Sequence, residues 1–361
     1  MNFPAQFGGL DEAAALPAKP LHLAIGMFDG VHLGHRAVVG AAVQSARANG
    51  GIAAVLTFHP HPSALFNPGK PTRLIMDPSW KAGLLQGLGV DVVINQPFTP
   101  EFAGIDAGQF LPLLKKALPG LVEIYVGEDW RFGAKRRGDV AMLVNEASVL
   151  GVSVTSAPPV SLDGEPVSST RIRTLLESGD VAGANALLGD PYRSLGTVVG
   201  GKGMGRTIGF PTLNLAWSPE LRPRYGVYAV RVTGLHKPGG SGAPPAGGMP
   251  GMPGTGSAGI QGTGSGVPGT GSAGKLGTGS IGFLPGVANY GVRPTVETTA
   301  EPLLETHVLG PCALGCGDEI IVEWLQFLRP EMKFPGVGEL RAQIAKDVKQ
   351  ARAFFAMPVR P

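Results

Sequence analysis

The chain has 361 residues, 43% of them hydrophobic, and a formal net charge of +3 from 30 Lys+Arg against 27 Asp+Glu. That length holds two domains of ordinary size, and so mild an imbalance excludes a general nucleic-acid partner. Two cysteines, Cys312 and Cys316, are too few for a zinc site or a secreted disulfide framework and read as free thiols; with no signal peptide and no run of about 18 apolar residues, a soluble cytoplasmic protein without a membrane partner is expected.

The first apolar run, Leu21, Leu23, Ala24 and Ile25, ends in a glycine-flanked turn from Gly26 to His35, and a helical pattern follows through Ala46. Strand-like runs at Ile52–Phe58, Val90–Ile94 and Leu121–Val126 alternate with helical patterns at 41–49, 79–87 and 107–117. Continuous apolar strands between helices predict a parallel α/β sheet, whose ligands bind beyond the carboxyl ends of the strands. Lys135-Arg136-Arg137 reads as a solvated loop. After about residue 188 the texture shifts to short strands at 196–199, 226–232, 305–309 and 318–326, punctuated by Gly, Pro and Asn, which predicts an antiparallel β-barrel. A closing helix is expected over 338–355. Between about His236 and Ile281 a tract repeats Gly-Thr-Gly-Ser four times, holds no acidic residue and is expected to be disordered. Lengthening a barrel turn by that much costs only about 2 kcal/mol of loop-closure entropy. The expected division is residues 1–187 and 188–361, with the tract as an insertion in the second unit.

The Gly26–His35 turn suits an anionic phosphate group. Its glycines let the backbone approach a ligand, the following helix N-terminus offers N–H groups, and His32 and His35 share one face of the first turn. Ser168-Ser169-Thr170, with Arg171 and Arg173 behind it, reads as a second cradle in which hydroxyls, amides and a guanidinium donate to phosphate oxygens. Each alone has a plainer reading, as an N-cap or as structural histidines. In the second unit, Gly196 to Lys202 fits the start of a P-loop, but Gly203 stands where its Ser or Thr belongs, and the spacing fails G-x-G-x-x-G as well.

The pairing of Gly26-Met27-Phe28-Asp29-Gly30-Val31-His32-Leu33-Gly34-His35 with the late Ser-Ser-Thr-x-Ile-Arg segment resembles the nucleotidylyltransferase superfamily. That resemblance implies that His32 and His35 meet the ATP phosphates and steady the charge of the transition state, with Gly26, Phe28, Asp29, Gly30, Ser168, Ser169, Thr170 and Arg173 around the nucleotide. Phe58-His59-Pro60-His61-Pro62 and Gly127-Glu128-Asp129-Trp130-Arg131-Phe132-Gly133 resemble segments of bacterial FAD synthetases, which brings Asp129 and Arg131 into the site. His59 and Trp130 depart from the usual glutamate and phenylalanine there.

Gly201-Lys202-Gly203-Met204-Gly205-Arg206-Thr207-Ile208-Gly209-Phe210-Pro211-Thr212-Leu213-Asn214 resembles the riboflavin kinase motif, with Leu213 where alanine is usual. The resemblance implies a glycine loop (Gly201, Lys202, Gly203, Gly205, Arg206) over the phosphates, with Thr212 and Asn214 holding Mg²⁺ and ATP. Gly286 to Thr295 and Glu305-Thr306-His307 resemble further family segments, the latter making Glu305 the general base. Together these imply a bifunctional chain of the riboflavin kinase and FAD synthetase type, using riboflavin, FMN and ATP with Mg²⁺ as a monomer or weak homo-oligomer. Two alternatives stand beside it: one activity with the kinase half disabled by the tract, or a flavin-binding module without turnover. A pure binder has no use for a base and two phosphate cradles.

Overall fold

The computed structural model describes residues 5–201, 203–235, 282–292 and 302–357. Expectations for the 236–281 tract, for Lys202 and for Arg293-Pro294-Thr295 therefore lie outside the described residues. In chain order the first part runs β1 (Ala5–Phe7), α1 (Leu10–Ala13), β2 (Leu21–Ile25), α2 (Leu33–Ala48), β3 (Ile52–His59), α3 (Pro62–Phe66), α4 (Pro78–Gly87) and β4 (Val92–Pro97). It continues with α5 (Pro100–Ala103), α6 (Ala107–Ala117), β5 (Leu121–Gly127), α7 (Val140–Val149), β6 (Ser153–Ala157), β7 (Ser161–Leu162), β8 (Glu165–Pro166), α8 (Ser169–Ser178) and α9 (Val181–Leu188). The second part runs β9 (Tyr192–Val199), α10 (Met204–Thr207), β10 (Leu213–Leu215), β11 (Gly226–Leu235), β12 (Leu284–Val292), β13 (Pro302–Val308), β14 (Glu319–Pro330) and α11 (Val337–Ala356).

The first sheet is six-stranded and parallel throughout, in the order β1-β4-β3-β2-β5-β6. All five residues of β2 are buried, because helices cover both faces of its strand. From β2 the chain steps outward to β3 and β4, then returns to the other flank with β5. That reversal opens a crevice at the carboxyl end of β2, where the Gly26–His35 turn begins. The sequence showed this sheet except for its outermost members, β1 and β6. The three-residue β1 is too short for a period, and β6 alternates exposed serine and threonine with only partly buried residues.

The second sheet closes into an antiparallel barrel, β10-β13-β12-β11-β14-β9. Trp324, Tyr228 and Tyr290 fill its interior, and the Trp324 indole donates to Ser194 Oγ at 2.7 Å, so its one polar atom is satisfied. Outside, α11 lays Val348, Ala351 and Phe354 against Val227, Ala229 and Val287, and Asp347 takes a two-pronged hydrogen bond from Arg329 at 2.9 and 2.8 Å. Helices α8 and α9 share one apolar cluster with the barrel: Ile172, Leu176, Val181 and Leu187 meet Tyr192, Tyr228 and Trp324. Asn185 completes the seam by donating to the Trp324 carbonyl and accepting from the Tyr192 amide, each at 2.7 Å. Cys312 and Cys316 are exposed and unbridged.

Candidate active sites

At the carboxyl end of β2 the backbone enters an uncommon conformation. Phe28 (φ 49), Gly30 (φ 87) and Val31 (φ 42) all lie in the left-handed region, which a β-branched residue such as Val31 resists. Such strain persists only where surrounding contacts over-determine it, and here they come from distant segments. Asp29, buried, accepts from the Ile75 amide at 3.0 and 3.1 Å and pairs with the Arg173 guanidinium. Ser169 Oγ donates to the Asp29 carbonyl at 2.8 Å. Arg36 Nε donates to the Val31 carbonyl at 3.0 Å while its far end pairs with Asp190. Gly30 touches both Ile75 and Leu188, so a β-carbon there would crowd two packed side chains.

These contacts bring the Gly26–His35 turn and the start of α8 together across about 140 residues of sequence. Ser168 caps α8 by accepting from the Arg171 amide at 3.2 Å, and Thr170 beside it is exposed. Asp29 faces inward and holds Arg173, and Arg173 also donates to the Arg73 carbonyl at 2.8 Å, so the guanidinium is fixed in place at the edge of the crevice.

His32 is the N-cap of α2, accepting from the His35 amide at 3.3 Å, so one of the amides that the helix end offers is already used. The two imidazoles stack with centroids 3.5 Å apart and planes 18° from parallel, and Phe28 meets His35 edge-on at 5.3 Å. Gly34 permits this, because a β-carbon would lie 3.2 Å from the His32 ring. Burial lowers His32 to about 4, and burial together with the neighbouring His32, Lys81 and Arg173 carries His35 well below the usual histidine value. Both rings are therefore neutral hydrogen-bonding groups near neutral pH. His35 Nδ1 is sealed from solvent without a hydrogen-bond partner.

Past β5, Asp129 and Arg131 are exposed, and Arg131 pairs with Asp139 at 3.2 Å rather than with Asp129. Trp130 stacks on Phe132 at 4.8 Å, in a row of rings reaching Phe110, Phe102, Phe58 and Phe98. Sequence reading passed over Lys81 and Thr57. Lys81 Nζ donates to Thr57 Oγ1 at 2.8 Å and to the Met27 carbonyl at 3.1 Å, and Thr57 Oγ1 donates to the same carbonyl at 2.9 Å. The signal was present: Lys81 stands in register with Ala82 and Leu85 on the apolar face of α4.

The second site lies on the outer wall of the barrel. In the strand register Asn214 of β10 and Asn289 of β12 both stand opposite Glu305 of β13, which puts three polar residues in one row. Gly201 lies against that row, and Gly205 packs on the backbone and side chain that lead into β10. A β-carbon on Gly201 would fall 2.2 Å from Asn214 Nδ2, and one on Gly205 would fall 2.4 Å from the Phe210 carbonyl and 3.4 Å from Thr212 Oγ1. Gly203 (φ +72) starts the single turn of α10, which carries Arg206 in its last residues. His307, two residues beyond Glu305, hydrogen-bonds the Pro211 carbonyl at 2.8 Å and meets Phe210 edge-on, tying the end of the loop to β13.

Comparisons with known proteins agree on both halves. Residues 16–171 match the FAD synthetase family model and residues 188–355 the riboflavin kinase model. The bifunctional riboflavin kinase/FMN adenylyltransferase of Escherichia coli K12 is 34% identical over 351 residues, 97% of each chain. That of Bacillus subtilis 168 is 31% identical over 338 residues, 92% of each. A solved structure described as a macrolide-efflux protein from Streptococcus pneumoniae superposes with a TM-score of 0.76 at 25% identity, covering 97% of this chain and 99% of that one. Among the described residues no helix is long and apolar enough to cross a membrane. The chain belongs to the bifunctional riboflavin kinase/FMN adenylyltransferase family, with an FAD synthetase domain followed by a riboflavin kinase domain.

Proposed function

We infer that the two sites divide the family's two reactions between them, near the 187/188 boundary. The chain phosphorylates riboflavin with ATP to FMN, and adenylates FMN with a second ATP to give FAD and pyrophosphate. The observation that supports this division is the presence of two separate anion-ready constructions. One is the strained turn locked to α8 by Asp29, Ser169 and Arg173. The other is the Asn214–Glu305–Asn289 row beside a glycine loop.

In the adenylyl-transfer site, an oxygen of the FMN phosphate attacks the α-phosphorus of ATP and pyrophosphate leaves. Neutral His32 and His35 donate hydrogen bonds to the phosphoryl oxygens as charge gathers there, and Arg173, already aligned by Asp29, adds a fixed positive charge. Ser168 and Thr170 offer hydroxyls at the N-terminus of α8 and Ser169 its amide, the Ser169 hydroxyl being held by the Asp29 carbonyl. The Phe28 ring packs against Gly26 beside His35, and Asp129 and Arg131 are assigned to the nucleotide by the family resemblance, exposed past the end of β5.

In the kinase site, Glu305 takes the proton of the riboflavin ribityl hydroxyl as its oxygen attacks the γ-phosphorus of ATP, and ADP leaves. Gly201, Gly203, Gly205 and Arg206 are assigned to the phosphates, as the resemblance also implies for Lys202. The Thr212 hydroxyl and Asn214 amide oxygen are hard donors at the foot of a loop too close for a β-carbon, a set that fits Mg²⁺ bound jointly with nucleotide phosphates. Bound there, Mg²⁺ supplies neutralisation of the phosphate charge. We place the protein in the cytoplasm, where both nucleotide substrates are available, as a monomer or weak homo-oligomer. Purified protein given riboflavin and Mg·ATP yields FMN first and FAD later, with one pyrophosphate per FAD, followed by chromatography. Riboflavin bound but unchanged would overturn the reading.

A further inference from the structure

We propose that Lys81 is a positioning residue for adenylyl transfer, setting the Met27–Asp29 turn from beneath through Thr57 and the Met27 carbonyl. The inference rests on the reading of the first site as the adenylyl-transfer centre.

Lys81 is 7% exposed and Thr57 is fully buried. An ammonium in such a place loses its hydration, and the groups that it donates to, a threonine hydroxyl and a peptide carbonyl, are both neutral. The nearest carboxylate, Asp29, is pulled the other way by Arg173. Burial brings Lys81 down to about 8, against the opposing pull of Asp29, so it is still mostly charged at neutral pH. For stability alone an apolar residue serves better at this position, which lies beside Leu85 on the buried face of α4. The cation is retained, and the position of its head accounts for that.

Lys81 and Thr57 both converge on the carbonyl that immediately precedes Phe28, the first residue of the turn with positive φ. Fixing that carbonyl fixes the peptide plane from which Phe28 projects onto His35, and so the seat of the imidazole pair. The same charge contributes to the lowered values of His35 and His61. Lys81 therefore acts on the site in two ways, through geometry and through the positive field it sets beneath the turn.

The test uses the full-length protein and measures both activities and thermal stability. Lys81→Met keeps the length of the stem and removes the charge. Its adenylyl-transfer kcat is expected to fall ~10–100-fold while KM for ATP and FMN moves less than about threefold. Riboflavin phosphorylation stays at the wild-type rate, and Tm is unchanged or higher because the desolvation cost is gone. Lys81→Met with wild-type kcat overturns the proposal. Thr57→Val should reproduce the kcat loss and Thr57→Ser should restore it. If Lys81→Met does not fold, this pair decides alone, and a wild-type kcat in Thr57→Val overturns the proposal. His32→Ala is the control for the underlying reading: if it keeps full adenylyl transfer, the site assignment fails whatever Lys81 does.

Discussion

The two nucleotide sites solve one problem in opposite ways. The N-terminal turn places Phe28 and Val31 at positive φ, where side chains are costly, and holds them with groups from β3, α4, α8 and the segment around Ile75 and Asp190. The barrel loop puts glycines wherever backbone or amide comes close, and Gly203 and Gly209 sit at positive φ with open space around them. The first site is pre-set by tertiary contacts and is therefore exposed to damage from far along the chain. The second is local, and its conformational cost is carried by residue type.

Substitutions that sharpen this contrast most are those at the reacting groups. His32→Ala is expected to lower adenylyl transfer by about 10³-fold and leave riboflavin phosphorylation intact, because it removes a preorganised donor that acts on developing charge. Glu305→Gln should do the reverse, with a kinase loss of about 10²–10⁴-fold measured by FMN formation. Next comes stability. Asp29→Asn leaves the Arg173 guanidinium without its buried partner and should cost about 3 kcal/mol in denaturant unfolding, together with adenylyl transfer.

An effect of similar size appears in the pH profile of stability. The folded state resists protonating His32 between its ordinary 6.5 and about 4, whereas the unfolded chain takes up that proton below 6.5. Stability therefore declines as pH falls through that window, by about 3 kcal/mol from this group, and the decline is complete below about 4. His32→Ala should flatten that limb, read by urea melts at successive pH values. The smallest effect belongs to the barrel loop. Gly203→Ala meets no neighbour but must adopt φ +72, so it should cost only about 1 kcal/mol and raise the kinase KM for ATP modestly. A large loss there would show that the loop is as pre-set as the turn, and the contrast would fail.

How much of this was readable in advance follows the same division. The glycine loop, Thr212, Asn214 and Glu305 carry local signatures, and the register sets Asn214 opposite Glu305. The strand at Leu21–Ile25 and the turn after it were equally plain, since β2 is apolar and the glycines punctuate it. What the sequence concealed were the supports. Asp29 is marked only as one of the residues around the nucleotide, and its inward pairing with Arg173 spans 144 residues that no local pattern encodes. Lys81 stands on the apolar face of α4 and Arg36 in the first turn of α2, but only the fold brings the Met27 carbonyl and Asp190 to them. The packing of α8 and α9 onto the barrel was concealed for the same reason: their apolar faces show that something covers them, and only the fold shows what.

The central claim is that two independent sites work in series on one chain. The most direct measurement of it follows FMN and FAD by chromatography for His32→Ala and Glu305→Ala, each given riboflavin or FMN with Mg·ATP. His32→Ala should accumulate FMN from riboflavin and make no FAD. Glu305→Ala should leave riboflavin untouched yet convert supplied FMN to FAD at the wild-type rate. Loss of both activities from either single substitution, in a protein that still folds, would contradict it.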